Sequence, residues 1–180
     1  KLVVFPDFNF SRTTITTSYV DDIVVPDGVV VGPLPEPTTV PPTPPHDPAD
    51  VISVYSDTYT DVAGTDFNPN WGQSTSVTVD YLAAGNNTLK YENLNYQGTQ
   101  FASPLNVSGY EYLHVDFWTP NSTDLGIFLI SSGPVEVEYL LVPPGTTETW
   151  VSVDIPLTAF AGVNLSDVIQ FKVDGMGTIY

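Results

Sequence analysis

The chain of 180 residues has no cysteine, one methionine and only four basic residues. Without cysteine no disulfide frame supports the fold, and no thiolate is available as nucleophile or metal ligand. Four bases against 21 acids leave a formal net charge of −17. Such a chain repels phosphate backbones and anionic headgroups, which argues against nucleic acid, a membrane surface or a polyanionic glycan as partner. Neutral ligands and cations stay open. No apolar run approaches the roughly 18 residues that mark a membrane span, so membrane insertion is not expected. Of the two histidines, His46 lies among prolines and His114 in a strand pattern, so no histidine pair offers a transition-metal site. No G-x-S-x-G, H-E-x-x-H or phosphate-loop pattern occurs. The first residue is Lys1 rather than methionine, which points to a piece of a longer protein.

What is present is the vocabulary of strands and turns. Apolar residues make up 42% of the chain, enough for a core, and it carries 13 glycines and 17 prolines. Valine, threonine and tyrosine are abundant, an all-β composition. Three zones separate. Residues 1–25 hold two apolar runs, "KLVVF" and "YVDDIVV", around a polar stretch, and read as a β-hairpin that needs a partner to be stable. Residues 26–50 carry nine prolines and read as an extended Pro-rich linker. Residues 51–180 hold short strand patterns separated by turn signals: "VISVYS", "STSVTVDYL", "TLKYENL", "YLHVDFW", "GIFLIS", "VEVEYLLV", "TWVSVDIPL" and "VIQFKVDG", with one helical turn in "PLTAFAG". Many short strands at even spacing predict an antiparallel jelly-roll β-sandwich.

Side chains alternate across a strand, so period-two patterns assign faces. Leu113, Val115 and Phe117 oppose His114, Asp116 and Trp118. Val135, Val137 and Tyr139 oppose Glu136 and Glu138. Ile169, Phe171 and Val173 oppose Gln170 and Lys172, and Val151, Val153 and Ile155 oppose Trp150, Ser152 and Asp154. The polar faces carry acceptors, donors and an indole rather than plain serine and threonine. One reading is charge pairing on an exposed sheet, with Lys172 matched to Glu136 or Glu138. The other is a ligand platform, in which sugar hydroxyls meet His114, Asp116, Glu138, Gln170 and Lys172 while a sugar face stacks on Trp118. A second aromatic and amide cluster falls in "FNPNWGQ" and "YENLNYQGTQF", with Trp71, Tyr91, Tyr96 and Gln97 as candidates.

At "VYSDTYT", "NPNWGQST", "LNYQGTQF", "YEYLHVDFWTP", "WVSVDIPLTAF" and "NLSDVIQFKVDGMGTIY" the sequence resembles the β-sandwich carbohydrate-binding modules appended to secreted laminarinase-type β-glucanases, and similar modules in surface glycan-binding proteins of Bacteroidetes. The resemblance spans residues 51–180. It implies a jelly roll without catalysis and a neutral polysaccharide ligand, often a β-glucan, within an extracellular or cell-surface multimodular protein. Such modules close with a strand like "tIYLDNIYF", which is incomplete here at Tyr180. "TTSYVDDIVV" resembles that same closing strand from a preceding module, so the expected organisation is the last strands of one module, a linker, and most of the next, with neighbouring modules as partners. The competing reading is a structural or adhesive spacer without a sugar site.

Two cheaper chemistries compete with this one. Glu136 and Glu138 sit about 7 Å apart as i and i+2 on one strand face, near the spacing glycosidases use, but any E-x-E strand provides that, and the chain is expected not to be an enzyme. Asp57, Asp61 and Asp66 offer hard oxygen ligands close in sequence, and a structural Ca²⁺ is an expectation, although their spacing is not that of an EF-hand.

Overall fold

The computed structural model describes residues 32–141 and 148–180. The chain divides into two compact units, Lys1–Leu34 and Pro35–Tyr180. The hairpin expected within residues 1–25 lies outside the described residues. The second unit is all-β and antiparallel, with strands β1 (Ser76–Ala83), β2 (Asn86–Glu92), β3 (Tyr96–Leu105), β4 (Tyr112–Phe117), β5 (Leu125–Ser131), β6 (Val135–Leu140), β7 (Val151–Pro156) and β8 (Val168–Gly175).

One layer is a four-stranded sheet in the order β3-β8-β5-β6; the other is built from the hairpin β1-β2 and the pair β4-β7. The last residues of the chain join the two halves of that second layer, since Ile179 pairs with Tyr91 of β2 and Tyr180 with Trp118 of β4. The chain crosses repeatedly from one layer to the other, which is the jelly-roll sandwich that the strand patterns predict.

Period two does the sorting. In register, Phe171 of β8 sits between Thr99 of β3 and Leu129 of β5, and Val137 of β6 follows in the same row. These side chains turn inward to meet Phe117 and Ile155 from the opposite layer. Leu129, Ile155 and Val168 are almost fully buried, and burial of each such side chain stabilises by about 1.5–3 kcal/mol. Phe101 and Phe171 meet edge to face at 5.3 Å, the arrangement that the ring quadrupoles favour.

The turn "AAGNN" closes β1 onto β2. Ala83 pairs with Asn86, and the two residues between them, Ala84 and Gly85, have φ of 52° and 94°. A two-residue hairpin of this hand needs positive φ at both positions, which glycine supplies freely and alanine at a cost of about 1–2 kcal/mol. Farther along, Val79 and Asp80 oppose Leu89 alone, a bulge that bends the edge. Asp80 sits at φ 56°, and the Tyr55 hydroxyl donates to its carboxylate at 2.8 Å.

Two expectations change. "VISVYS" is not a strand; it makes one isolated bridge, from Ser53 to Asp61. Tyr96–Leu105, absent from the strand patterns above, is a full strand, while the helical turn expected in "PLTAFAG" is a short 3-10 turn, Leu157–Phe160. The inward row of that strand is Gln97, Thr99 and Phe101, too polar to show an apolar alternation.

The Pro-rich segment also behaves differently from a free spacer from Glu36 onward. Pro37 is buried. Glu36 lies 3.5 Å from the Lys90 ammonium, the Trp150 indole N–H donates to the Thr39 carbonyl at 2.7 Å, and the Tyr59 hydroxyl donates to the His46 carbonyl at 2.9 Å. Proline density forbids a ladder strand here, but it does not forbid a strap tied down by side chains of its neighbours. The strap ends in a 3-10 turn, Pro48–Asp50, capped by Asp47, whose carboxylate accepts from the Ala49 N–H at 2.9 Å.

Candidate functional site

The outer face of β3-β8-β5-β6 carries two cross-strand rows. Gly98, Lys172, Phe128 and Glu138 form one; Gln100, Gln170, Ile130 and Glu136 form the next. Lys172 is half-buried in the middle. Its ammonium is 2.8 Å from Glu136 Oε2 and 3.7 Å from the centre of the Phe128 ring, so it is both paired and stacked. The Gln170 amide donates to Gln100 Oε1 at 3.1 Å. Glu138 leans over Gly126, where any side chain would collide with its carboxylate.

Trp71 forms the wall of this face. Its ring lies flush over Gly98, so near that a Cβ there would stand 2.5 Å from the ring. The loop that presents it is fixed by its own polar groups. Trp71 N–H donates to Gln73 Oε1 at 2.8 Å, Gln73 donates to the Pro69 carbonyl at 2.8 Å, and the Tyr96 hydroxyl donates to the Trp71 carbonyl at 2.8 Å. Trp71, Tyr96, Ile130, Pro134, Glu136, Gln170 and Lys172 enclose an open groove of about 380 Å³. It has an aromatic wall, an apolar patch, and a floor of amides and a neutralised ion pair.

Of the residues expected at a ligand site, Trp71, Tyr96, Glu138, Gln170 and Lys172 share this face. The others do not join it. His114 and Asp116 stand on the outer face of β4-β7, in the opposite layer, because β4 pairs with β7 rather than with β6 or β8. Trp118 follows the end of β4 on the side away from the core, but it is covered there by Ala83, Tyr180, Tyr81 and Trp150. It is 4% exposed and packs edge-on against Tyr180 at 5.5 Å, so no sugar can stack on it there. Gln97 is 1% exposed; its amide donates to the Gly98 carbonyl at 3.0 Å. Tyr91 is also in the core, where desolvation raises its pKa to about 12. Ile130, Pro134 and Glu136 complete the groove, with Gln100 and Phe128 beside it on the same face; none was assigned to a ligand site from sequence, although the alternation of "VEVEY" already placed Glu136 on the face of Glu138.

The β4-β7 face holds a separate polar cluster. His114 Nδ1 is 2.7 Å from Asp154 and Nε2 is 3.3 Å from Asp116, while the Ser152 hydroxyl donates to Asp116. Desolvation pulls the His114 pKa down, but the bond to Asp154 and the charge and bond of Asp116 outweigh it, and the net shift is upward.

Asp57, Asp61 and Asp66 do not converge. Asp57 accepts from the Asn87 backbone and side-chain amides at 2.8 and 3.0 Å, Asp61 from the Ser53 hydroxyl at 2.5 Å, and Asp66 from the Asn68 N–H at 2.9 Å. Among the described residues no group of three or more acidic, histidine or cysteine side chains is arranged to hold a metal ion. Nor, among them, is any helix long and apolar enough to cross a membrane.

No family profile matches the chain, and no curated protein does. Among solved structures, the family 11 carbohydrate-binding module of the cellulosomal cellulase Lic26A-Cel5E of Clostridium thermocellum is similar, at 16% identity and a TM-score of 0.43, over 64% of this chain and 81% of that one. A carbohydrate-binding module of family 28, described as specific for non-crystalline cellulose, is similar at 15% identity and a TM-score of 0.45, over 66% and 85%. Likenesses of this distance carry no functional inference.

Proposed function

We propose that the groove over β3-β8-β5-β6 binds a neutral polysaccharide, of the β-glucan class, without cleaving it. The observation that carries the reading is Trp71 held flat over Gly98 beside Tyr96, on the sheet face that also carries Gln100, Gln170, Lys172 and Glu136. A sugar ring has an apolar C–H face and a rim of hydroxyls. Aromatic walls take the first, and paired amides and a neutralised ammonium-carboxylate pair take the second. The ion pair leaves little local charge for an ionic ligand, and the net charge of −17 opposes an anionic one.

A catalytic role has less support. Glu136 is committed to Lys172, and Glu138 is exposed on the sheet surface. A polymer of this kind is met outside cells, which fits an extracellular or cell-surface multimodular protein. Affinity-gel migration against soluble β-glucan, xylan and mannan is the test. Retardation by β-glucan, abolished by Trp71→Ala, supports the reading; no retardation by any neutral polymer supports a spacer module instead.

A further inference from the structure

The strap is held without a single ladder bond. Residues 35–46 carry six prolines, and among the described residues no backbone hydrogen bond joins them to the sandwich. Side chains do the holding instead. The Trp150 indole N–H donates to the Thr39 carbonyl at 2.7 Å, the Tyr59 hydroxyl donates to the His46 carbonyl at 2.9 Å, and the Lys90 ammonium lies 3.5 Å from the Glu36 carboxylate. The three anchors come from different parts of the sandwich: Lys90 from β2, Trp150 from the start of β7, Tyr59 from the segment before β1.

The burial of the strap follows the pattern of a docked polyproline helix. Pro37 is buried, Pro41 and Pro44 are half-buried, and every other residue from 35 to 46 is exposed. Pro41 to Pro44 is the three-residue period of that helix, and the bend at Thr38 and Thr39 accounts for the extra residue between Pro37 and Pro41. Such a helix offers carbonyls and proline rings but few N–H groups, so aromatic side chains that donate to its carbonyls are what recognise it. Trp150 and Tyr59 are donors of this kind. Trp150 and Tyr81 also pack on the buried cluster of Ala83, Trp118 and Tyr180, which fixes the aromatic shelf from below, independently of the strap. Lys90 stands over the Tyr81 ring at 4.4 Å and keeps Glu92 at 3.4 Å, so its charge stays compensated when Glu36 leaves.

We propose that Lys90, Trp150 and Tyr59 form a recognition trough for acidic proline-rich segments, that the strap is its resident ligand, and that the strap of a second copy of this chain takes its place once the resident one is released. The trough asks for a carboxylate at the position of Glu36, a proline after it, and free carbonyls at the positions of Thr39 and His46, all of which the same segment of another copy supplies. In the intact chain the resident strap wins, because its attachment through Pro48–Asp50 gives it an effective concentration of about a millimolar. A released strap leaves its own trough open and is itself free to dock elsewhere, so two copies in that state exchange straps, as swapped elements do.

The test pairs an acceptor with a donor, both full-length. The acceptor has residues 36–46 replaced by glycine and serine, which leaves its trough open. The donor carries Trp150→Phe and Tyr59→Phe, which frees its strap. A synthetic peptide of residues 35–46 serves as the minimal ligand. In NMR spectra the indole N–H of Trp150 reports the trough, while those of Trp71 and Trp118 report the fold. The acceptor is expected to unfold cooperatively with the Trp71 and Trp118 signals in place and the Trp150 signal moved. The peptide should return that signal toward its position in the unaltered chain, and should bind the acceptor at least about tenfold more tightly than the unaltered chain, whose own strap competes. Glu36→Gln in the peptide should weaken binding about threefold, as for an exposed ion pair, and alanine at Pro37, Pro41 and Pro44 together by about tenfold or more, through lost preorganisation. Acceptor and donor should sediment as a one-to-one complex that neither forms alone. The proposal is overturned if the peptide leaves the Trp150 signal unmoved at millimolar concentration, if the alanine peptide binds as well as the native one, or if acceptor and donor do not associate. Loss of cooperative folding in the acceptor also overturns it, since the strap is then part of the fold rather than a ligand.

Discussion

Gly98→Ala isolates the architecture of the groove in one methyl group. The added Cβ would stand 2.5 Å from the Trp71 ring, whereas carbon atoms in contact settle near 3.5–4.0 Å. The ring therefore has to withdraw by about 1 Å or more, against a loop held by Gln73 and Tyr96. Overpacking of this kind costs about 1–3 kcal/mol. For a domain of this size each kcal/mol lowers the melting temperature by about 2–4 °C, so a fall of about 2–12 °C is expected with the fold retained. The substitution touches no polar group of the floor. If Trp71 is the wall on which a sugar stacks, its displacement forfeits about 1.4 kcal/mol or more, a tenfold loss of glycan affinity. Thermal scanning, indole emission and calorimetric titration read the three effects separately. A variant with unchanged melting temperature and unchanged Trp71 emission would refute the packing argument. A displaced indole with undiminished glycan affinity would refute the functional one.

Trp118→Ala is expected to destabilise the fold by about 3–5 kcal/mol, the usual cost of deleting a buried tryptophan, while the molecules that remain folded bind glycan as before; calorimetry on the folded fraction checks this. The raised His114 pKa carries its own sign. Its stabilisation is complete below the unfolded value near 6.5 and fades as pH rises through the higher folded value, so melting temperature should decline across that window and the decline should vanish in His114→Gln. The exposure of His114, 38% for its side chain, keeps the effect small. Glu36→Gln weakens the tie to Lys90 and should speed proteolytic cutting between residues 36 and 46 with little change in overall melting. A calcium chelator should leave the melting temperature unchanged, because Asp57, Asp61 and Asp66 are each engaged in a different hydrogen bond.

The sequence was most informative where one local rule sufficed. In "VEVEYL", "VIQFKV", "WVSVDI" and "LHVDF" the period of two named the inward row, and Val137, Phe171, Val153, Val115 and their neighbours do pack on the core. It was least informative about which strands meet. His114 and Lys172 look alike as polar residues of alternating strands, yet they lie on opposite layers, because pairing is decided by long-range register rather than by composition. Trp118 shows that parity sets a face but not its exposure. Alternation sets it opposite Phe117, and it is indeed outside the main core, but it is buried there with Ala83 and Tyr180 in a second cluster. Gly98 is silent in sequence: only the landing place of Trp71 gives its missing side chain a purpose. The prolines of residues 35–50 correctly excluded a strand, but nothing local could show that Lys90 and Trp150 would hold the segment down.

The central claim is that a neutral glycan sits against Trp71 on the β3-β8-β5-β6 face. Heteronuclear NMR titration of the full chain with a soluble β-glucan tests it most directly, because it reports every face at once. The account predicts shifts centred on the Trp71 indole and the backbone of Tyr96, Gln100, Gln170 and Lys172, with His114, Asp116 and Asp154 unmoved. Perturbations confined to the β4-β7 face, or none at saturating glycan, would contradict it.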